Sequence, residues 1–296
     1  MPKILVTGGC GFIGSNLVDL LVEDLNNQVV VIDSLDTGKK EYCNKKAKYL
    51  FADIRDIFTH DVPMGLQNVD VIFHLAARAR IQPSFEVPIL TLDVNTRGTA
   101  LICEYARKIG AKIVYAGSSS YYGGVYLNPY AFAKWQGEEL CKLYNEVYDV
   151  QATIARFFNV YGNRHPSTGP YGTVVGVFER QYSKGEKLTV TGDGEQRRDF
   201  THVKDICRGL IAMSDGPCNG EVFNLGTGKN YSINELASFF PDSEIEYAPK
   251  RPGEAWETLA DITKTKSILD WEPNNCLQNY IKEWSTNTIG EQNETI

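Results

Sequence analysis

The sequence is poor in the residues that announce a metal site, a disulfide scaffold or a membrane span. Four histidines and seven cysteines are scattered, with no Cys-x-x-Cys pair and no histidine cluster beside the thiols. That pattern argues against zinc and against a disulfide framework, and fits reduced thiols in a cytoplasmic protein. His60, His165 and His202 lack metal-ligand spacing, and His74, closing an apolar run, reads as a packing residue. No metal is expected. No apolar stretch is long enough to cross a bilayer. The first residues run straight into a strand-like segment without a signal-peptide layout, so a soluble protein is expected. Lysine and arginine form no long runs, and the net charge is −7. A nucleic-acid partner is therefore not expected, while a local basic pocket for a phosphate is compatible with this balance.

What the chain does have is alternation. Lys3–Thr7, Val29–Asp33, Tyr49–Ala52, Val71–His74 and Lys112–Ala116 read as short buried strands, most rich in Val and Ile. Gly14 to Asn26 carries Leu17, Leu20, Leu21 and Leu25 at helical spacing. A long helix is expected over Ile89 to Ile109, ending at Gly110, and another from Tyr130 past Tyr148, before a strand at Ala152–Arg156. Such alternation predicts an α/β fold, a doubly wound parallel sheet of Rossmann type with ligands at the strand C-termini. From Asn159 the pattern is irregular and richer in Gly, Pro and aromatics. Residues 1–158 are thus expected to form the nucleotide-binding domain, and 159–296 mainly a smaller, irregular α/β substrate domain with segments returning to the sheet. The tail after Trp284 is polar and expected to fray.

After the first strand comes Gly8-Gly9-Cys10-Gly11-Phe12-Ile13-Gly14, and then a helix. Glycines there permit a tight turn and let backbone amides approach a pyrophosphate at a helix N-terminus, where the dipole favours anions. A glycine-rich turn alone is weak, since loops collect glycine for conformational reasons. Here it sits between strand and helix, and the second strand ends in Asp33, which can accept bonds from a ribose diol and repel a 2′-phosphate. NAD is expected rather than NADP.

Tyr130-Ala131-Phe132-Ala133-Lys134 sets a phenol and an ammonium on one helix face. A free tyrosine is ionised about one part in a thousand at pH 7, a handicap of about 4 kcal/mol for a base. A neighbouring Lys134 and an oxidised nicotinamide would both favour the phenolate. Ser118, at the end of the fifth strand, can bond the same substrate hydroxyl.

Taken together, Gly8-x-x-Gly11-x-x-Gly14, Asp33, Asp53-Ile54, His74-Leu75-Ala76-Ala77, Asn95, Ser118 and Tyr130-x-x-x-Lys134 resemble the extended short-chain dehydrogenase/reductase superfamily. Within it, Arg156–Gly162, Gly192-Asp193-Gly194 with Arg197–Val203, and Arg251-Pro252-Gly253-Glu254 resemble the UDP-sugar 4-epimerases, with UDP-glucose and UDP-GlcNAc as the likeness's typical substrates. The likeness runs through almost the whole chain in order. It implies catalytic roles for Ser118, Tyr130 and Lys134. It implies a cofactor cradle of Gly8, Gly11, Phe12, Ile13 and Gly14, with Asp33, Ser34, Leu35, Thr37 and Gly38 at the adenosine end. Asp53 and Ile54 would bracket the adenine; Leu75, Ala76, Ala77, Asn95 and Phe157 would line the rest, together with Tyr130 and Lys134. Ser119, Asn159, Val174, Thr189, Arg198, Arg251, Glu254 and Thr258 would hold the nucleotide sugar, the arginines by charge and direction at the pyrophosphate. A homodimer through the helices holding Asn95 and Tyr130 is implied as well.

The rival chemistry is a sugar-nucleotide 4,6-dehydratase, which typically carries an Asp-Glu pair after the serine or threonine, or a decarboxylase with a Glu there. Ser119 and Ser120 stand at those positions and are weak acid–base groups. A non-catalytic NAD- or RNA-binding relative is disfavoured by the intact Ser118, Tyr130 and Lys134 and by the negative charge. One departure stands out: only Gly124–Pro129 separates Tyr122-Gly123 from Tyr130, where the family has a longer loop framing the sugar. Thr258 falls where epimerases restricted to plain hexoses carry a bulky tyrosine, which predicts room for an N-acetyl group.

Overall fold

The computed structural model describes residues 1–58, 64–217 and 219–294; His60 lies outside them. The Val- and Ile-rich runs become β1 (Lys3–Thr7), β2 (Gln28–Asp33), β3 (Lys48–Phe51), β4 (Val71–His74), β5 (Lys112–Ser118) and β6 (Ala152–Phe157). After β7 (Asn159–Tyr161), β8 (Leu188–Thr191) and β9 (Arg197–His202), the chain returns as β10 (Asn219–Leu225) to pair with β6. The result is a seven-stranded parallel sheet in the order β10-β6-β5-β4-β1-β2-β3. Strand order reverses at β1, which lies between β2 and β4, so a crevice opens past the C-terminal ends of β1 and β4.

Both faces of the sheet are covered, which is why its strands read as continuous apolar runs instead of alternating ones. On one face Leu17, Val18 and Leu21 of the helix Phe12–Leu21 pack with Val203, Ile206 and Leu210 of the helix Val203–Asp215. On the other, Ile102, Cys103 and Ala106 of the helix Gly98–Ile109 meet Cys141 of the helix Pro129–Tyr148. A separate cluster built on Tyr161, Phe178, Leu188, Phe200, Leu236 and Ile281 forms the core of the smaller C-terminal part. There β9 lies between β7 and β11 (Asn230–Ser232), while β8 pairs with β12 (Ile245–Ala248).

Three sequence expectations are corrected. The first helix ends at Leu21, not Asn26, and Leu25 is 79% exposed, so its helical spacing was coincidental. The single helix expected over Ile89–Ile109 is Pro88–Leu92, a π-helical turn Asp93–Arg97 and then Gly98–Ile109, closed by Gly110 at φ 72°. Past Trp284 the helix Leu277–Glu294 continues, with Ser285 buried, where a frayed polar tail was expected.

Candidate active site

The glycine-rich turn is shaped by close contact. Gly8 has φ +74°, and a Cβ there would lie 2.7 Å from the Ala76 nitrogen. A Cβ on Gly14 would lie 2.1 Å from the Gly8 carbonyl oxygen. No larger residue fits either position. Gly11 starts the helix Phe12–Leu21 with no side-chain cap, so its first-turn amides, Phe12 and Ile13 among them, are offered to the crevice. Asp33, buried at the end of β2, accepts from the amides of Cys10 and Leu35, both at 2.8 Å. A carboxylate has about four acceptor sites, so capacity for a diol remains. The loop Ser34–Gly38 folds round it, with Leu35 at φ 62°, Thr37 exposed and Gly38 too close to the carboxylate to carry a side chain.

The other wall is the loop after β4. The Leu75 amide bonds to the Thr7 carbonyl at 3.1 Å, and the Ala76 amide to Thr7 Oγ1 at 3.2 Å, with Ala77 following. Asn95, in the π turn, is 1% exposed and grips this loop, accepting from the Arg78 amide at 2.8 Å and donating to the Arg78 carbonyl at 3.1 Å. It holds the wall in place instead of standing free in the crevice. Asp53 caps the short helix Ile54–Ile57 and is paired with Arg55 at 2.7 Å, which holds its carboxyl below the usual range. Ile54 is packed in the core beside Gly98. His74 bridges Thr7 at 2.8 Å and Thr99 at 3.0 Å; burial pulls it down to about 3, so it is a neutral spacer.

β5 and the helix Pro129–Tyr148 bring Ser118, Tyr130 and Lys134 together. The helix starts at an Asn-Pro signature: Asn128 accepts from the Ala131 amide at 2.7 Å, and Pro129 follows with no amide to satisfy. The Tyr130 hydroxyl donates to Ser118 Oγ at 3.5 Å, and Ser118 Oγ accepts from the Ser120 amide at 3.1 Å. Burial pushes the Tyr130 phenol up, while the Ser118 hydrogen bond and the positive charge of Arg80 pull it back. Lys134 is 5% exposed, and its ammonium lies 4.5 Å from the centre of the Tyr115 ring. Burial draws it down to about 8 against the opposing charge of Glu138. Glu138 itself forms a buried ion pair with Arg156 at 2.7 Å.

Beyond Ser118 a cavity is lined by Ser119, Ser120, Asn128, Asn159, Arg198 and Thr258, among others, and none of its lining residues is acidic. Thr258 is buried there, and its hydroxyl accepts from Asn159 Nδ2 at 3.4 Å. Its backbone is fixed by bonds to Arg197 and Asp199, both at 3.1 Å. Arg198, 3.7 Å from Glu254, also lines a second cavity with Arg251 and Glu254. The short loop before Tyr130 is closed over by another segment: Gly253, at φ +72°, packs on Phe85 and its carbonyl accepts from Asn128 at 2.9 Å. Phe157 ends β6 beside Ser118. Two predicted substrate residues are not brought to either cavity. Val174 opens the helix Val174–Ser183 against the C-terminal core, and the Thr189 hydroxyl accepts from Gln181 at 2.7 Å.

A model of the NAD-dependent epimerase/dehydratase family matches residues 4–226. The chain belongs to that family. It is 38% identical to a putative UDP-glucose 4-epimerase of Methanocaldococcus jannaschii, over 94% of this chain and 96% of that protein. It is 34% identical to UDP-glucuronic acid decarboxylase 6 of Arabidopsis thaliana, over 92% and 84% respectively. The solved UDP-N-acetylglucosamine 4-epimerase of Methanobrevibacter ruminantium, in complex with UDP-N-acetylmuramic acid, superposes with a TM-score of 0.88 at 30% identity, covering 98% and 99%.

As in its family, NAD is the cofactor. The crevice fits it: a glycine turn that a Cβ would fill, a helix start without a side-chain cap, and the Lys134 ammonium with no hydrogen-bond partner among the described residues. Sequence reasoning missed Arg78, Arg80 and Asn128. The Asn128-Pro129 pair was a readable helix start, but the arginines are tied to Tyr171, 93 and 91 positions away, and left no local signal. Among the described residues no helix is long and apolar enough to cross a membrane, and no acidic, histidine or cysteine group could hold a metal.

Proposed function

We propose that this member of the family is a UDP-sugar 4-epimerase. The observation that carries it is the Tyr130–Ser118 hydrogen bond beside a cavity, entered by the next residues Ser119 and Ser120, whose lining bears no carboxylate. Dehydratase and decarboxylase relatives need an additional acid or base near the sugar ring, and Ser119 and Ser120 supply none. When bound, NAD would supply the hydride acceptor and donor for the sugar carbon. Tyr130 accepts the proton of the C4 hydroxyl and returns it to that oxygen when hydride comes back to the other face of C4, with Ser118 bonded to the same oxygen. Lys134 would hold the cofactor's ribose and support the phenolate. Arg198 and Arg251 keep the pyrophosphate clamped while the 4-keto sugar turns over, and Glu254 orients Arg198. Thr258 in place of a bulky aromatic leaves room for an acetamido group, so UDP-GlcNAc and UDP-GalNAc are accepted at least as readily as UDP-glucose and UDP-galactose.

Exposed apolar side chains on the helical face, Ile89, Leu143, Val147 and Tyr148, support a homodimer through these helices. The described cysteines are all free thiols, as a cytoplasmic enzyme requires. The test is Tyr130→Phe, which is expected to fold, to retain NAD and to lose at least about a hundredfold in turnover. Turnover within a few-fold of wild type would remove Tyr130 from the chemistry.

A further inference from the structure

The cofactor crevice opens past the ends of β1, β2 and β4, and one segment of the smaller C-terminal part is tied to its rim on both sides. That segment, 163–171, follows β7 and the bend at Gly162 (φ +121°). At its start it is joined to the helix Phe12–Leu21, whose first turn faces the crevice. Asn16 donates to the Asn163 carbonyl at 3.0 Å, and Arg164 pairs with Asp19 at 2.7 Å. The His165 ring meets Phe12 edge-on, with centroids 6.1 Å apart. Arg164 is held there in left-handed backbone, φ 66°, a conformation that a non-glycine residue keeps only where its surroundings fix it.

At its end the segment is gripped from the opposite wall. The Tyr171 hydroxyl accepts from Arg78 at 2.9 Å, and the Tyr171 carbonyl accepts from Arg80 Nε at 2.8 Å. Arg78 also pairs at 2.6 Å with Asp36, in the loop after β2, while Asn95 holds its backbone. Because β1 lies between β2 and β4, the Arg78–Asp36 pair bridges the loops on either side of the glycine turn. The Nε of Arg78 is buried and has no partner among the described residues, which leaves one donor for an acceptor that enters the crevice. The side chains that fasten the segment include three cations, Arg78, Arg80 and Arg164, a charge that suits a dinucleotide pyrophosphate.

We propose that residues 163–171 form a latch over bound NAD, with Arg78 as its pin. The cofactor leaves when the latch lifts, and lifting breaks both bonds to Tyr171 together with the ties at Asn163 and Arg164. Each tie alone is modest, since Arg78 and Asp36 are partly exposed and such pairs are weak. Acting on one short segment they slow release, because all must be open at the same moment. The inference rests on NAD as the cofactor of the family and is independent of which chemistry Tyr130 performs.

The experiment loads the full chain with radiolabelled NAD, chases it with excess unlabelled NAD and follows the label retained on the protein. Wild type, Tyr171→Phe, Arg78→Gln and the double variant are compared, and no readout depends on turnover. Tyr171→Phe removes a single oxygen and is expected to release NAD at least about fivefold faster than wild type. Arg78→Gln also loses Asp36 and is expected to release it at least about tenfold faster. The double variant should be no faster than Arg78→Gln, because both substitutions break the same bond. Tyr171→Phe releasing NAD at the wild-type rate would overturn the latch and leave Arg78 a plain cofactor contact. Effects that multiply in the double variant would overturn it as well, since the two residues would then act separately. If Arg78→Gln does not fold, the rate of Tyr171→Phe decides alone.

Discussion

At the scale of single residues the site is decided by what surrounds a few polar atoms. Thr258 shows this most plainly. Its hydroxyl lies within reach of Asn159 on the wall of the cavity that also exposes Ser119 and Arg198. A tyrosine there would have to project into the space proposed for the acetamido group, because backbone bonds to Arg197 and Asp199 fix the backbone behind it. Thr258→Tyr is therefore expected to lower kcat/KM for UDP-GlcNAc at least tenfold while sparing UDP-glucose, measured by paired assays. An unchanged preference would take Thr258 out of specificity. Asp199 carries much of this scaffold: its buried carboxylate accepts from Thr227, Gly228 and Ala260 and ties β9 to the neighbouring turns. The position of Thr258 on the wall could be expected from its spacing to Arg251. The position of Arg80 could not, because its partner is an irregular segment far along the chain.

At the scale of elements, legibility followed the source of each element's stability. β1 and β4 begin and end where their apolar runs do, since full burial is what makes those runs apolar. The long helix around Asn95 was readable as helical but not as interrupted, because a π turn leaves the amphipathic pattern nearly intact while turning Asn95 inward. β10 was not readable as a sheet strand, because its pairing with β6 is a contact between distant segments. The glycine turn was the most legible feature, and the reason is steric. Gly14→Ala would set a methyl 2.1 Å from the Gly8 carbonyl, with both atoms in rigid backbone. The turn would have to open and the helix start would shift. Purified Gly14→Ala is expected to contain less than a tenth of the wild-type NAD by absorbance and extraction. Full NAD content would show that the turn does not form the pyrophosphate cradle.

At the scale of the whole molecule, the parallel sheet presents the cofactor crevice at the reversal of strand order, and the smaller C-terminal part brings the sugar-side cavity up against it. Beside the short loop before Tyr130, Gly253 from a distant segment lines that cavity, its carbonyl accepting from the Asn128 side chain. The residues lining the sugar-side cavity offer hydroxyl and amide groups but no carboxylate, which supports the proposed withdrawal and return of what the sugar already carries. The most direct measurement is proton NMR of UDP-GlcNAc incubated with the purified protein and no added NAD. The account predicts a mixture of UDP-GlcNAc and UDP-GalNAc approached from either side, with the sugar's mass unchanged. A 4-keto-6-deoxy product, or no conversion of any UDP-hexose or UDP-N-acetylhexosamine, would contradict it.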